Sequence, residues 1–321
     1  MASVRGSNTC AIANYGDLCL NVGHGEGAMS FVVRSSTLAR IAKFWKVLLL
    51  GGFAESRYNK GKSDWVVSLP EDNVKAMRTF LYICNAYFVP VPTDIEIDDL
   101  YQLTVLTNKY GSTHVLRPWA KGWSMRMSKL QGMIYERIWI AWELGDESLF
   151  KSLALEFIRD AEIVQPEEAQ QVPYDALEVI GFYELAETIR HAIILELVTI
   201  TKDYLCMFAD EEWDGLFTQE IYKERQLSAD MIQSLEAVGL WPVPDAEDVW
   251  ESVESLASKL RRVTLSARAD GSIVCDKSHL FQMSVIEIIN EDHLAQNIIL
   301  PDSMTRHFGN QVLLTGLLES G

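Results

Sequence analysis

The sequence predicts an α+β fold in which a small β-sheet flanked by helices is followed by an all-helical region. Residues Asp17–Val22 and Ala28–Val33 have the alternating or extended pattern of strands and surround a glycine-rich turn. Beyond residue 130, apolar residues recur at steps of three and four, which is typical of helices. With 321 residues, of which 48% are hydrophobic, the chain is long enough for about two domains.

The first half continues with helices and one further strand. Hydroxyl residues suited to a helix N-cap begin a helix near Ser35, and helical residues from Phe44 onward end at Gly51-Gly52. Trp65–Leu69 is predicted to be the third strand. The periodicity predicts further helices at about 73–87, 97–110 and 114–127.

The second half is predicted to consist of helices joined by short breaks. The clearest begins at about Tyr174 or Phe182 and ends near Tyr204, because apolar residues recur there at helical spacing. Residues 264–276, which contain Ala269-Asp-Gly-Ser272, are predicted to be a flexible connection. The other predicted helices cover about 131–144, 147–161, 228–238, 246–260 and two segments that begin near Ser278 and Pro301.

Charge divides the chain near residue 130. Residues 1–130 carry 15 Lys and Arg against 10 Asp and Glu, a net charge of +5, whereas residues 131–321 carry 13 against 35, a net charge of −22. The acidic half is unsuited to nucleic acid, because phosphate binding depends on Lys and Arg. We interpret the acidity as an aid to solubility, with an acidic docking surface as the alternative.

Apolar runs and cysteines indicate an intracellular protein, cytoplasmic or nuclear. The N-terminus has no apolar stretch behind a positive cluster, and the longest apolar runs fall far short of the roughly 20 residues that cross a bilayer. The five cysteines are widely spaced and contain no Cys-x-x-Cys motif, which argues against a disulfide framework. We therefore expect no membrane association.

Several segments of the first half together resemble the BTB (POZ) domain of fungal proteins. Their order of strand, strand, helix, helix, strand and three helices is that of the BTB domain, and the likeness covers residues 14–127. The resemblance implies a BTB fold there, preceded by a flexible segment at 1–13 and followed by an acidic all-helical domain at 131–321. The segments that carry it are Gly16-Asp-Leu-Cys-Leu-Asn-Val22, Phe31-Val-Val-Arg-Ser-Ser-Thr-Leu38, Leu48-Leu-Leu-Gly-Gly-Phe-Ala-Glu-Ser56, Leu69-Pro-Glu-Asp72, Tyr101–Tyr110 and Leu116–Ala120.

The resemblance implies a non-enzymatic protein-protein interaction module. In BTB adaptors of ubiquitin ligases, a hydrophobic-x-Glu triplet in the loop after the second helix contacts the scaffold Cullin-3, and Phe53-Ala54-Glu55 is similar in type and place. Phe53 would then be the apolar anchor and Glu55 the orienting carboxylate. In the alternative, Gly51-Gly52-Phe53 only ends the helix, with Phe53 packed on the core and Glu55 solvated. A nuclear regulatory protein without a ubiquitin role is a further alternative.

The same resemblance bears on oligomeric state. Animal BTB dimers commonly exchange an additional N-terminal helix and strand, whereas only about 15 mostly polar residues precede Gly16 here. We therefore expect a monomer or an oligomer built without this exchange.

Catalytic and cofactor motifs are missing from the sequence, so we expect neither an enzyme nor a cofactor. Gly23-x-Gly25-x-x-Ala28 superficially resembles a dinucleotide fingerprint, but β-forming residues follow it where that motif requires a helix. Cys275-x-x-x-His279 has the spacing of one helical turn, with Cys206 as a distant third ligand, so a zinc site is the alternative to ordinary packing. The acidic pairs Glu167-Glu168 and Glu211-Glu212 are interpreted as solvated faces, with a carboxylate metal site as the alternative.

Overall fold

The computed structural model describes residues 8–53, 55–56, 65–160, 175–207, 219–269, 272–290, 294 and 298–317. The fold is mixed α+β, with a small sheet and a majority of helix. The chain divides into two compact units: unit 1 comprises Met1–Phe150 and Pro301–Gly321, and unit 2 comprises Lys151–Leu300. Unit 2 is therefore inserted between two segments of unit 1, and the boundary expected near residue 130 is not where the structure divides.

Unit 1 contains a four-stranded sheet whose spatial order is β1-β3-β2-β4. Strands β2 and β3 form the predicted antiparallel hairpin, with Leu20 opposite Phe31, and β4 lies parallel to β2 on its other side. Leu18, Leu20 and Val22 are buried, so one face of β2 faces the core. The strands are β1 (Thr9–Ala11), β2 (Leu18–Val22), β3 (Met29–Val33) and β4 (Val66–Leu69).

Strand β1 corrects the expectation of a flexible N-terminal segment at 1–13. It pairs in parallel with β3 of the same chain, with Thr9 opposite Ser30. The Ser30 N–H donates to the Asn8 carbonyl at 3.0 Å and the Ile12 N–H donates to the Val32 carbonyl at 3.0 Å, so these residues satisfy their backbone groups on the edge of the sheet. Residues 1–7 lie outside the described residues.

The helices largely follow the predicted positions. Asp17 fixes the first one, because its carboxylate accepts from the Ser35 backbone N–H at 2.8 Å and the Ser35 hydroxyl at 2.7 Å. The helices are α1 (Ser35–Ile41), α2 (Lys43–Leu50), α3 (Val74–Cys84), α4 (Ile97–Lys109), α5 (Arg117–Met127), α6 (Ile134–Leu144), α7 (Glu147–Asp160), α8 (Asp175–Val179), α9 (Phe182–Met207), α10 (Gln219–Ala237), α11 (Val253–Leu260), α12 (Ser278–Ile288) and α13 (Asp302–Thr315).

Helices α6 and α13 close the core of unit 1, which explains why the boundary lies beyond residue 130. The Trp142 and His307 rings stack with centroids 3.7 Å apart and an interplanar angle of 7°. Phe150 and Phe308 make an edge contact with centroids 5.2 Å apart, and the Thr315 hydroxyl donates to the Leu144 carbonyl at 2.8 Å. The change in net charge near residue 130 gives no information about this packing, because the contacts are apolar or between neutral groups.

Unit 2 is mostly helical, but a β-hairpin replaces the flexible connection expected at 264–276. Strands β5 (Ser266–Ala269) and β6 (Ser272–Asp276) pair antiparallel, with Ala267 opposite Cys275. The region 131–321 is therefore not all-helical. Helix α10 holds the free edge of β5, because Asp230 accepts from the Ser266 N–H at 2.8 Å and Gln226 accepts from the Arg268 N–H at 2.9 Å.

Candidate protein-interaction surface

Helix α2 has two apolar faces, of which only one is buried. Trp45 and Leu49 lie fully buried in the core of unit 1. On the other face the side chains of Phe44, Val47 and Leu50 are 44%, 42% and 56% exposed. We call these three residues, together with Phe53 in the bend that follows, the α2 stripe. Apolar side chains at steps of three residues on an exposed helix are typical of a surface that a partner covers.

The bend after α2 presents Phe53 to solvent. The Gly51 N–H donates to the Val47 carbonyl at 2.8 Å and ends the helix, and Gly52 follows with φ of +87°, a left-handed conformation that favours glycine. The Phe53 carbonyl then accepts from the Ser56 N–H at 2.9 Å. The Phe53 side chain is 53% exposed, so it is not the core residue that one interpretation of the triplet requires.

Glu55 occupies a fixed backbone position in the same bend. Its carbonyl accepts from the indole N–H of Trp65 at 2.7 Å, which ties the bend to the start of β4. The Glu55 side chain is half-buried, so it is less solvated than expected from the sequence. Ala54, the middle residue of the triplet, lies outside the described residues.

Beneath the α2 stripe, aromatic packing and a hydrogen-bond network hold α2 in position. The Tyr110 ring stacks on Trp45 with centroids 4.4 Å apart and makes an edge contact with Phe44 at 5.1 Å. The Tyr110 hydroxyl donates to the buried Asp72 carboxylate, which also accepts from Lys109 Nζ at 2.6 Å. Burial raises the pKa of Tyr110 above its usual value, which keeps this donor protonated. A surface held in one arrangement loses less conformational entropy when a partner binds.

The charges beside the α2 stripe are basic. Lys43 and Lys46 are exposed on α2 itself, and Arg40 is exposed at the end of α1. No acidic residue occurs between Arg34 and Gly52. A partner that covers the stripe would therefore gain from carboxylates at the edge of its apolar contact.

Sequence reasoning missed Phe44, Val47 and Leu50 as surface residues. The composition of α2 could have indicated an exposed apolar face. Six of its eight residues are apolar, in the sequence Lys-Phe-Trp-Lys-Val-Leu-Leu-Leu. A helix that packs against the core on one side buries only one stripe of residues, so six apolar residues in eight are more than that stripe holds.

The structure does not support the proposed metal ligands. Cys275 lies in strand β6 and His279 lies in helix α12, so the two residues are not one helical turn apart. Cys206 is exposed near the end of α9. The described part of the chain contains no group of three or more His, Cys, Asp or Glu that could hold a metal ion. The pairs Glu167-Glu168 and Glu211-Glu212 lie outside the described residues.

The glycine-rich turn between β2 and β3 is the hairpin turn predicted for it. Residues Gly25–Gly27 form a single 3-10 turn, and β3 follows immediately. No helix opens there with N–H groups directed at a phosphate, which is what a dinucleotide site at this motif requires.

Within the ranges that the structure describes, no helix combines the length and the apolar character needed to cross a bilayer. Comparison of the chain with protein-family models, with curated proteins and with solved structures finds no match.

Proposed function

We propose that the chain is a non-enzymatic protein-protein interaction module that binds its partner through the α2 stripe, with a BTB fold in unit 1. The observation that carries the proposal is the exposure of Phe44, Val47 and Leu50 on a helix whose opposite face is buried, together with the exposure of Phe53 in the bend that follows. Monomeric proteins rarely leave apolar side chains gathered in this way without a binding role.

The order of elements supports the BTB part of the proposal. From β2 to α5, the described residues form strand, strand, helix, helix, strand and three helices, which is the order that the resemblance implies. We retain the expectation of a monomer or an oligomer built without strand exchange; in the single chain, β1 occupies the edge of the sheet beside β3.

The size of the expected effect follows from the exposed area. A phenylalanine side chain of about 200 Å² that is half exposed offers a partner about 100 Å², which corresponds to roughly 2.5 kcal/mol of transfer free energy. Removing the Phe53 ring should therefore weaken binding at least tenfold, since tenfold corresponds to about 1.4 kcal/mol.

The test compares two full-length variants with the wild-type chain. Phe53→Ser removes one residue of the α2 stripe, and Leu313→Ser removes an apolar side chain that is 71% exposed on α13 of the same unit. Each immobilised protein captures partners from a fungal cell extract, and quantitative mass spectrometry compares the retained proteins. We expect proteins held by wild type and Leu313→Ser to be lost from Phe53→Ser, with unchanged melting temperatures for all three. Identical sets for both variants would exclude the stripe as the binding surface.

A Cullin-3 scaffold is the second candidate, because the structure exposes Phe53 while the Glu55 backbone is held by Trp65. The probe is an immobilised N-terminal segment of Cullin-3. The adaptor role predicts binding by wild type and loss in a Phe53→Ala/Glu55→Ala double variant. If the wild-type chain does not bind Cullin-3 at tens of micromolar, the adaptor role is excluded. An interaction module without a ubiquitin role then remains, such as the nuclear regulatory protein given as the alternative.

A further inference from the structure

Unit 2 carries a groove between α9 and α12, separate from the α2 stripe. The two helices are held together by the Tyr204 and Phe281 rings, whose centroids are 5.2 Å apart, and by the Tyr204 and Ser284 hydroxyls at 3.4 Å. The groove has a volume of about 590 Å³. It follows α9 from Ala192 to Asp203, a distance of about 16 Å at the helical rise per residue.

The middle of the groove is apolar and accessible. Leu195 is 49% exposed, Ile200 is half-buried and Ile288 is buried beneath them. Leu280, which lies one helical turn before Ser284 on α12, is 58% exposed and adds apolar area next to the groove. An elongated apolar surface of this length fits two to three turns of a helix.

The edges of the groove are acidic. Glu196, Asp203 and Glu287 line it and are exposed, and none of the described lining residues is a cation. Lys202, one position from the rim, is paired with Asp245 at 2.7 Å and so offers little positive charge to the groove. The position of these carboxylates around an apolar centre favours a ligand with cations around an apolar stripe.

We propose that this groove binds a basic amphipathic helix of a partner protein. The apolar face of that helix covers Leu195 and Ile200, while its Lys or Arg side chains meet the three carboxylates. A symmetric dimer through this groove is disfavoured, because it would bring the acidic rim of one copy against the acidic rim of the other. Nucleic acids and anionic phospholipid surfaces are disfavoured for the same reason, since both are negatively charged.

The test uses a peptide of about 14 residues with leucine at i, i+3, i+4 and i+7 and lysine elsewhere, which is amphipathic when it forms a helix on binding. A second peptide has glutamate in place of every lysine. Binding to the full chain is measured by fluorescence anisotropy. We expect the basic peptide to bind and the acidic one to show no saturable binding; equal affinities for both peptides would overturn the proposal.

A matched pair of variants separates the groove from the general acidity of the chain. Leu195→Arg and Leu313→Arg each replace an exposed leucine and each add one positive charge, but only the first lies in the groove. We expect Leu195→Arg to weaken the basic peptide at least tenfold and Leu313→Arg less than twofold. An equal effect of the two variants would show that the peptide binds by net charge alone and would overturn the proposal.

A triple variant tests whether the acidic rim contributes to binding. It combines Glu196→Gln, Asp203→Asn and Glu287→Gln. We expect weaker binding of the basic peptide and a smaller dependence on salt; unchanged affinity would overturn the role of the rim. The Phe53→Ser variant should bind the peptide as the wild-type chain does. A result against the groove proposal can therefore be distinguished from a result against the α2 stripe.

Discussion

Replacement of Glu143 by glutamine should stabilise unit 1 at alkaline pH. Glu143 lies in α6 and its side chain is fully buried. It accepts from Asn108 Nδ2 at 2.5 Å and from the Thr113 hydroxyl at 3.2 Å. Burial raises the pKa of Glu143 from 4.5 to about 7, because the two hydrogen bonds only partly offset the loss of water around the carboxylate.

The direction of the pH dependence follows from the two pKa values. Since the folded-state pKa lies above the unfolded one, the folded state binds the proton of Glu143 more tightly. Its contribution is most favourable below pH 4.5, decreases as the pH rises, and reaches its lowest value above about pH 7. The rise in the pKa of Glu143 from 4.5 to about 7 corresponds to roughly 3 kcal/mol at pH 8.

Glu143→Gln removes this titration while keeping a side chain of the same shape. The glutamine oxygen still accepts from Asn108, and its amide can donate to the Thr113 hydroxyl. We expect the variant to differ little from wild type at pH 4.5 and to be more stable by roughly 3 kcal/mol at pH 8. All other titrating groups are common to both proteins and cancel in the difference.

The measurement is urea unfolding at pH 4.5, 6 and 8, with pulsed hydrogen exchange of peptides from α6 to assign the transition to unit 1. Glu71→Gln is the control, because Glu71 is an exposed carboxylate of the same unit. The gain in stability between pH 4.5 and pH 8 should be larger for Glu143→Gln than for this control. If the Glu143→Gln variant and wild type differ by the same free energy at all three pH values, the buried carboxylate does not titrate as argued.

Three further substitutions test the assignments of a helix cap and of two glycines. Asn73→Ala should destabilise unit 1 by about 1 kcal/mol, because the Asn73 side chain caps two backbone N–H groups at the start of α3; an unchanged urea midpoint would contradict the capping role. Gly145→Ala should cost roughly 2 to 4 kcal/mol, since φ is +81° and the new Cβ would lie 2.8 Å from Gln311 Cβ. Gly25→Ala, with φ of +64° and no neighbour within 4 Å, should cost only about 1 kcal/mol, and equal losses for the two in a thermal melt would refute the steric argument.

The elements set by local pattern were predictable from the sequence. The β2–β3 hairpin follows from alternation around glycines, and the end of α2 follows from Gly51-Gly52. Helix α9 follows from apolar residues at steps of three and four over many turns. In each case the information lies within a few residues of the element.

The β5–β6 hairpin shows why other elements were missed. The residues of β5 are Ser-Ala-Arg-Ala, which have little intrinsic preference for a strand. The strand is held instead by Asp230 and Gln226 on α10, some 40 positions away in the sequence. The Asp270-Gly271 dipeptide between the two strands is a common hairpin turn signal, and it indicated a turn where a flexible connection was inferred.

The candidate surface was predictable only in part. Phe53 and Glu55 were identified from the triplet, but the exposed face of α2 depends on which of its apolar residues the core accepts. Tyr110 and Phe80 pack on Trp45, and this packing determines that the face of α2 with Trp45 is the buried one. Side-chain burial of this kind is a property of the assembled core and has no local pattern.

The return of α13 to unit 1 has a consequence for synthesis of the protein. Trp142 and Phe150 leave the ribosome well before Phe308, because the 150 residues of unit 2 are translated in between. At 5–20 residues per second, this interval lasts about 8 to 30 s. During that time Trp142 of α6 and Phe150 of α7 lack the helix that completes their packing. We therefore expect the nascent chain to expose apolar surface until α13 has been translated.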